Sequence, residues 1–180
     1  GMELAYDKAA PDQAFTAFNM NGGIMGQVWK SKGDGVKRAN EYAYDNAGRI
    51  HSTGFYGAAG ESYQTIMGNG PDPNIAYDLN GNIKRMIHRG WYYGIEGFYV
   101  DVLNYTYAQG GRSNRLEKVY DEQSGPTSQG DFTDNYTGAV DYTYDGGGNL
   151  TKDLNKKISS ITYNHLSLPL VLTIRTGTND

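Results

Sequence analysis

Polarity alternates with a period of two over much of the chain. Val140, Tyr142 and Tyr144 fall on one side of an extended backbone and Asp141, Thr143 and Asp145 on the other, and Leu150, Lys152 and Leu154 alternate with Thr151, Asp153 and Asn155. This is the pattern of a sheet with one packed and one wet face. Tyr42/Tyr44 and Tyr105/Tyr107 repeat the two-residue spacing. Strands are predicted at 24–30, 36–45, 49–56, 82–89, 100–107, 115–121, 158–163 and 170–175. No long run places apolar residues at i, i+3, i+4 and i+7, and Gly recurs too often for helices. Two segments break the alternation. Residues 90–99 (GWYYGIEGFY) are aromatic and Gly-interrupted and read as a loop or a short helix, and 122–136 read as a polar insertion.

The strands are punctuated by a repeated string. Tyr44-Asp45-Asn46-Ala47-Gly48-Arg49-Ile50, Tyr77-Asp78-Leu79-Asn80-Gly81-Asn82-Ile83 and Tyr144-Asp145-Gly146-Gly147-Gly148-Asn149-Leu150 share Y-D-x-x-G-[RN]-[IL]. Two looser copies run from Tyr107 to Leu116 and from Tyr163-Asn164 to Pro169, and a candidate sixth pairs Tyr6-Asp7 with Asn21-Gly22-Gly23-Ile24 across an insertion. The string specifies a three-residue hairpin loop, a type I turn closed by a left-handed residue in a bulge. Asp45, Asp78 and Asp145 take the first turn position, where a carboxylate accepts an N–H two residues on, and Gly48, Gly81 and Gly148 take the position that needs positive φ. Tyr44 is then expected opposite Ile50, Tyr77 opposite Ile83 and Tyr144 opposite Leu150. The expected fold class is all-β: tandem antiparallel hairpins forming one curved meander sheet over residues 1–180.

Composition fits this reading, with 25 Gly and 16 Tyr against 5 Phe and 2 Trp in 180 residues. Tyr packs its ring in a strand while keeping a polar tip, and Gly serves turns. The net charge of −4 and the absence of Lys/Arg runs leave no footprint for a phosphate backbone, so nucleic acid is not an expected partner. There is no Cys, hence no disulfide or thiolate zinc site. No apolar stretch approaches the ~20 residues of a helical membrane span.

The Y-D-x-x-G string, its Y-x-Y-D approach and the run Asp153-Leu154-Asn155-Lys156 through Ile158-Ser159-Ser160-Ile161-Thr162-Tyr163-Asn164-His165-Leu166-Ser167-Leu168-Pro169 resemble the Rhs/YD-repeat family of bacterial surface and toxin-associated proteins, over residues 24–175. The resemblance implies a long sheet spiralling into a hollow shell, related to the barrels of insecticidal toxin complexes and animal teneurins and often enclosing a C-terminal toxin. It further implies that this array is a fragment of a longer chain, secreted or on a cell surface, with neighbouring repeats of the parent chain as partners and an enclosed polypeptide as cargo. Nothing in the sequence matches the family's conserved core region, its self-cleaving aspartyl site or a toxin domain, so those activities do not carry over.

Candidate chemistry is sparse. Asp78–Asn82 and Asp145–Asn149 are oxygen-rich, but an EF-type calcium loop needs a bidentate Glu at position twelve, where Arg89 stands. Gly146–Gly148 precede no Lys-Ser/Thr and no helix, so they cradle no phosphate. His51, His88 and His165 occur singly, without metal-ligand spacing, and no G-x-S-x-G elbow is present. No catalytic residue, cofactor or metal is expected. The cluster Trp91, Tyr92, Tyr93, Phe98 and Tyr99 is the candidate binding surface, for a glycan or a peptide, against the plainer reading that it packs over the sheet. Open first and last strands expose unpaired edges, from which self-association is expected.

Overall fold

Each hairpin closes on the turn its sequence encodes. Asp45 N–H donates to the Arg49 carbonyl at 2.8 Å, Asp78 to Asn82 at 2.9 Å and Asp145 to Asn149 at 2.9 Å, while Gly48, Gly81 and Gly148 donate back to the Asp carbonyls at 2.9–3.1 Å. The three glycines have φ of +76°, +86° and +88°, the left-handed region that L side chains avoid. In the copy at Asn164 the same position is held by Ser167 at φ +57°. The copy at Tyr107 has a longer loop, in which Ala108 N–H reaches the Arg115 carbonyl at 2.8 Å.

The structure, a computed structural model, describes residues 1–6, 15, 21–57, 75–92, 95–123 and 132–176, with the side chains of 91–98 outside that description. Its strands are β1 (Met2–Ala5), β2 (Gly26–Lys30), β3 (Lys37–Tyr44), β4 (Ile50–Tyr56), β5 (Ala76–Tyr77), β6 (Ile83–Tyr92), β7 (Ile95–Tyr107), β8 (Leu116–Asp121), β9 (Tyr142–Tyr144), β10 (Leu150–Asp153), β11 (Ile158–Tyr163) and β12 (Pro169–Ile174), with a left-handed turn at Ala108–Gly111, where Gln109, Gly110 and Gly111 have positive φ. They form three four-stranded antiparallel sheets of hairpins, β1-β2-β3-β4, β5-β6-β7-β8 and β9-β10-β11-β12, and no closed barrel among the described residues. The sheets meet edge to edge in sequence order. Ile75 N–H donates to the His51 carbonyl of β4 at 2.8 Å, and Asp141 N–H to the Glu117 carbonyl of β8 at 2.7 Å.

Tyr44 stands opposite Ile50, Tyr77 opposite Ile83 and Tyr144 opposite Leu150. One residue further along, the five hairpins closed by copies of the turn from Asp45 onward depart from simple alternation. Ala43 pairs with Ser52, Ala76 with Arg85, Thr106 with Lys118, Thr143 with Lys152 and Thr162 with Val171, leaving His51, Lys84, Glu117, Thr151 and Leu170 as extra residues on the return strand. Such a bulge bends its strand and strengthens the right-handed twist. It also reverses side-chain parity beyond it. Tyr142 therefore faces Asp153, not the Lys152/Leu154 side that unbroken alternation predicts.

The expectation of a wet polar face fails at the same place. Asp141 is fully buried, with Asp153 and Asn155 nearly so. Residues 90–92 and 95–99 are not a loop or a short helix. They extend β6 and β7, with Arg89 opposite Tyr99, Gly90 opposite Phe98 and Tyr92 opposite Ile95, while 93–94 lie outside the described residues. Of the insertion at 122–136, residues 124–131 lie outside the described residues, and 132–136 form no strand.

The buried apolar residues among those described are Ala5, Met25, Val28, Ala39, Ile75, Ile87, Val100, Val102, Leu103 and Val119. All but Met25 and Ile75 lie on strands; Val28 and Ala39, with Phe15 and Tyr56 against them, form a compact cluster. In β12 all six residues are exposed, Leu170, Val171, Leu172 and Ile174 among them.

Candidate functional site

The residues that recur in the sequence converge on one rim of the sheet, where the turns lie. At each turn one Asp oxygen caps two backbone donors. Asp45 Oδ1 accepts from Ala47 and Arg49 N–H at 2.9 Å each, Asp78 Oδ1 from Asn80 and Asn82 at 2.8 Å each, and Asp145 Oδ1 from Gly147 and Asn149 at 2.9 Å each. The other oxygen takes the side chain of the sixth motif position: Arg49 Nε at 2.8 Å, Asn82 Nδ2 at 2.9 Å and Asn149 Nδ2 at 2.9 Å. The Arg/Asn preference in the string is therefore the donor that saturates the turn carboxylate. It was visible as a recurrence in the sequence, but its role needed the geometry.

The same side chains reach the next turn. Arg49 Nη1 donates to the Asp78 carbonyl at 3.3 Å and its guanidinium lies 4.4 Å from the Tyr77 ring centroid, and Asn82 Nδ2 also meets Asn114 Oδ1 at 3.0 Å. Bonds to the charged form hold all three carboxyls below the ordinary Asp range. For Asp45 the largest contributor is the Arg49 backbone N–H, followed by its side chain. For Asp145 it is the Asn149 side chain and then its N–H. At Asp78 partial burial is the largest single influence and pushes upward, but the combined bonds from Asn82, Asn80 and Gly81 prevail.

The signature tyrosines form a second repeating contact, which sequence reasoning missed. Tyr44 hydroxyl donates to the Ile24 carbonyl at 2.7 Å, Tyr77 to Ile50 at 2.6 Å, Tyr107 to Ile83 at 2.9 Å and Tyr163 to Leu150 at 2.6 Å. In every case the acceptor is the first residue after the preceding turn. For Ile50, Ile83 and Leu150 it immediately precedes the bulge, where the ladder is interrupted and a backbone carbonyl needs another donor. A Tyr supplies that donor from a packed ring, which Phe cannot. Burial raises the Tyr44, Tyr77, Tyr107 and Tyr144 phenols. Burial pushes Tyr56 up to about 12, with the Glu41 carboxylate adding to it, and Tyr142 also to about 12.

Where β8 meets β9 the polar residues are buried. Asp141 Oδ1 lies 3.1 Å from Lys118 Nζ, and Oδ2 accepts from Val119 N–H at 3.0 Å and Asn155 Nδ2 at 2.9 Å. Lys118 Nζ also donates to the carbonyls of Tyr136 at 3.2 Å and Gly138 at 2.9 Å, and Asn155 Oδ1 accepts from Tyr136 N–H at 3.0 Å. This network fastens the 132–138 segment and β9 to β8. Its partners are spread over four segments, so nothing local in sequence marks it.

The remaining candidates stay apart. His88 Nδ1 lies 3.0 Å from Asp101 Oδ2, whose Oδ1 accepts Phe132 N–H at 2.7 Å, so this pair pins a loop. His51 sits at a bulge and His165 in a turn. Among the described residues no three His, Cys, Asp or Glu are grouped to hold a metal, and no helix is long and apolar enough to cross a membrane. In the aromatic cluster, Tyr93 and the side chains of Trp91, Tyr92 and Phe98 lie outside the described residues. Tyr99 is exposed, with the Arg89 guanidinium 4.5 Å from its ring centroid and bonded to its hydroxyl at 2.7 Å. One ring face is therefore covered by a cation. The open grooves on the surface are lined by Met2, Glu3, Val28, Trp29 and Lys37 in one case and by Asp78, Lys84, Tyr105 and Tyr107 in another.

No family model, no curated protein and no solved structure matches this chain.

Proposed function

We propose that the chain is a structural repeat scaffold whose product is the sheet itself, with no catalysis of its own. The observation that carries this reading is the recurring contact in which a Tyr hydroxyl of one hairpin donates to the carbonyl after the turn of the preceding hairpin, at four places along the array. The residue types that most often signal chemistry are absorbed in the same way: turn carboxylates cap their own loops, and Asp141 and Asp101 bind backbone N–H groups. Such an array stabilises itself neighbour by neighbour.

The resemblance to YD-repeat proteins extends the proposal. The curved sheet would be a segment of a β-shell on a secreted or surface protein, with neighbouring repeats as its partners and an enclosed polypeptide as its cargo. The test is a glycan array and an extended-peptide panel probed with the purified chain. A scaffold gives no saturable binding tighter than millimolar. Saturable binding that Tyr99→Ala abolishes, while the unfolding midpoint stays unchanged, contradicts the proposal in favour of a binding module.

A further inference from the structure

The two outer strands of the array carry complementary halves of the contact that joins hairpins inside it. β12 is the return strand of the last hairpin, and no described strand lies on its outer side. Its residues, Pro169–Ile174, carry no charge and are all exposed, with Leu170 at 68% and Ile174 at 56%. Charge, Pro within the strand or a covering segment usually blunts an open edge, and here the only Pro is the first residue. Pro169 faces Tyr163 and precedes the bulged Leu170, as Ile83 faces Tyr77 and precedes Lys84. It occupies the acceptor position that Ile83 fills for the Tyr107 hydroxyl.

β1 carries the other half. Met2–Ala5 lead into Tyr6 as β7 leads into Tyr107, and Tyr6 is 46% exposed. Like β3, β7 and β11, β1 runs toward a turn, so it would lie antiparallel on a β12 and continue the alternation of the meander. A second β12 brings no Tyr, so pairing two β12 strands leaves the acceptor at Pro169 unserved.

We propose that copies of this chain associate head to tail, β1 of one on β12 of the next, with the Tyr6 hydroxyl donating to the Pro169 carbonyl of its neighbour. The inference rests on the scaffold reading only in treating the hairpin as an extendable unit. Register is taken from the two internal junctions with long ladders. In each, the residue two after the acceptor pairs with the residue three before the Tyr: Gly26 with Glu41 for Ile24 and Tyr44, and Arg85 with Asn104 for Ile83 and Tyr107. At the short β10–β11 junction, where Asp153 pairs with Ile158, the register is offset by one residue. Transposed to the outer edges, Val171 pairs with Glu3 and Leu172 with Met2. The interface is heterologous, so association propagates into open assemblies rather than stopping at a dimer.

The absence of Cys makes this register directly testable, since introduced thiols are the only ones present. Cross-strand partners lie about 4.5–5.5 Å apart at Cα, within the span of a disulfide. Glu3→Cys and Val171→Cys, mixed and oxidised, are expected to give a disulfide-linked heterodimer, and the double variant a ladder of oligomers on a non-reducing gel. Light scattering of the Cys-free chain should show mass rising with concentration, and Tyr6→Phe should weaken association about 2- to 10-fold with an unchanged circular dichroism spectrum. Val171→Cys homodimers as abundant as the heterodimer overturn the proposal in favour of β12–β12 pairing. A monomer at all concentrations with no cross-link overturns it outright. Both outcomes leave the scaffold reading standing, whereas saturable glycan binding removes that reading without touching this one.

Discussion

Asp45, Asp78, Asp145 and Asn164 occupy the same position in four turns and make the same backbone bonds, yet one of them cannot titrate. Asn164 Oδ1 accepts from Leu166 N–H at 2.9 Å and Leu168 N–H at 3.1 Å, as the Asp oxygens do in theirs. The three carboxyls are held below their ordinary value in the folded chain. A carboxyl depressed on folding stabilises the fold above its unfolded pKa, and that contribution is lost as pH falls through the folded value. Acidification below about pH 4 is therefore expected to loosen the hairpins at Asp45, Asp78 and Asp145 while sparing the turn at Asn164. Amide exchange at pH 3 and pH 6 checks this: Gly48, Gly81 and Gly148 amides lose protection at low pH, and Ser167 does not. Equal loss at all four turns contradicts the assignment. This level was the most legible in the sequence, because a type I turn with a bulge needs Asx at one end and Gly at the other for reasons local to the loop. The closing Arg49, Asn82 and Asn149 side chains were less so, since their second partners lie in other turns.

Strand positions followed from period-two alternation, and pairing from the turns, but alternation could not show where the strands bulge. His51, Lys84, Glu117, Thr151 and Leu170 have no shared chemistry, and the extra residue is recognisable only as a break in pairing. That break is what turned Asp153 toward the packed side. Gly90 and Gly97 hid the continuation of β6 and β7 in a similar way, by interrupting a pattern that pairing with the neighbouring strand sustains. Asp141 illustrates the cost of reading polarity as exposure. Lys118 and Val119 of β8 and Asn155 beyond β10 supply its partners, so a fully buried carboxylate is accommodated. Removing it leaves Lys118 partly buried without its counter-ion, and breaking such a pair costs about 3–5 kcal/mol. Asp141→Ala is expected to lower stability by that amount in urea unfolding and to raise amide exchange in β8, β9 and 132–138. A shift under about 1 kcal/mol contradicts the network's role.

Among the described residues the molecule is a succession of hairpins, and eight of the ten buried apolar residues lie on strands. Two repeating contacts carry it from one hairpin to the next: carbonyls at the sheet junctions that receive the next strand's N–H, and carbonyls after the turns that receive a Tyr hydroxyl. Four of the 16 Tyr serve the second contact, each donating its hydroxyl to the backbone of the preceding hairpin. The most direct measurement is the urea unfolding of a variant in which Tyr44, Tyr77, Tyr107 and Tyr163 are all Phe, which keeps every ring and removes only the hydroxyls. At about 0.5–1.5 kcal/mol for each lost bond, the account predicts a total loss of roughly 2–6 kcal/mol with β-sheet spectra retained until unfolding. An unfolding midpoint equal to that of the parent chain would contradict it.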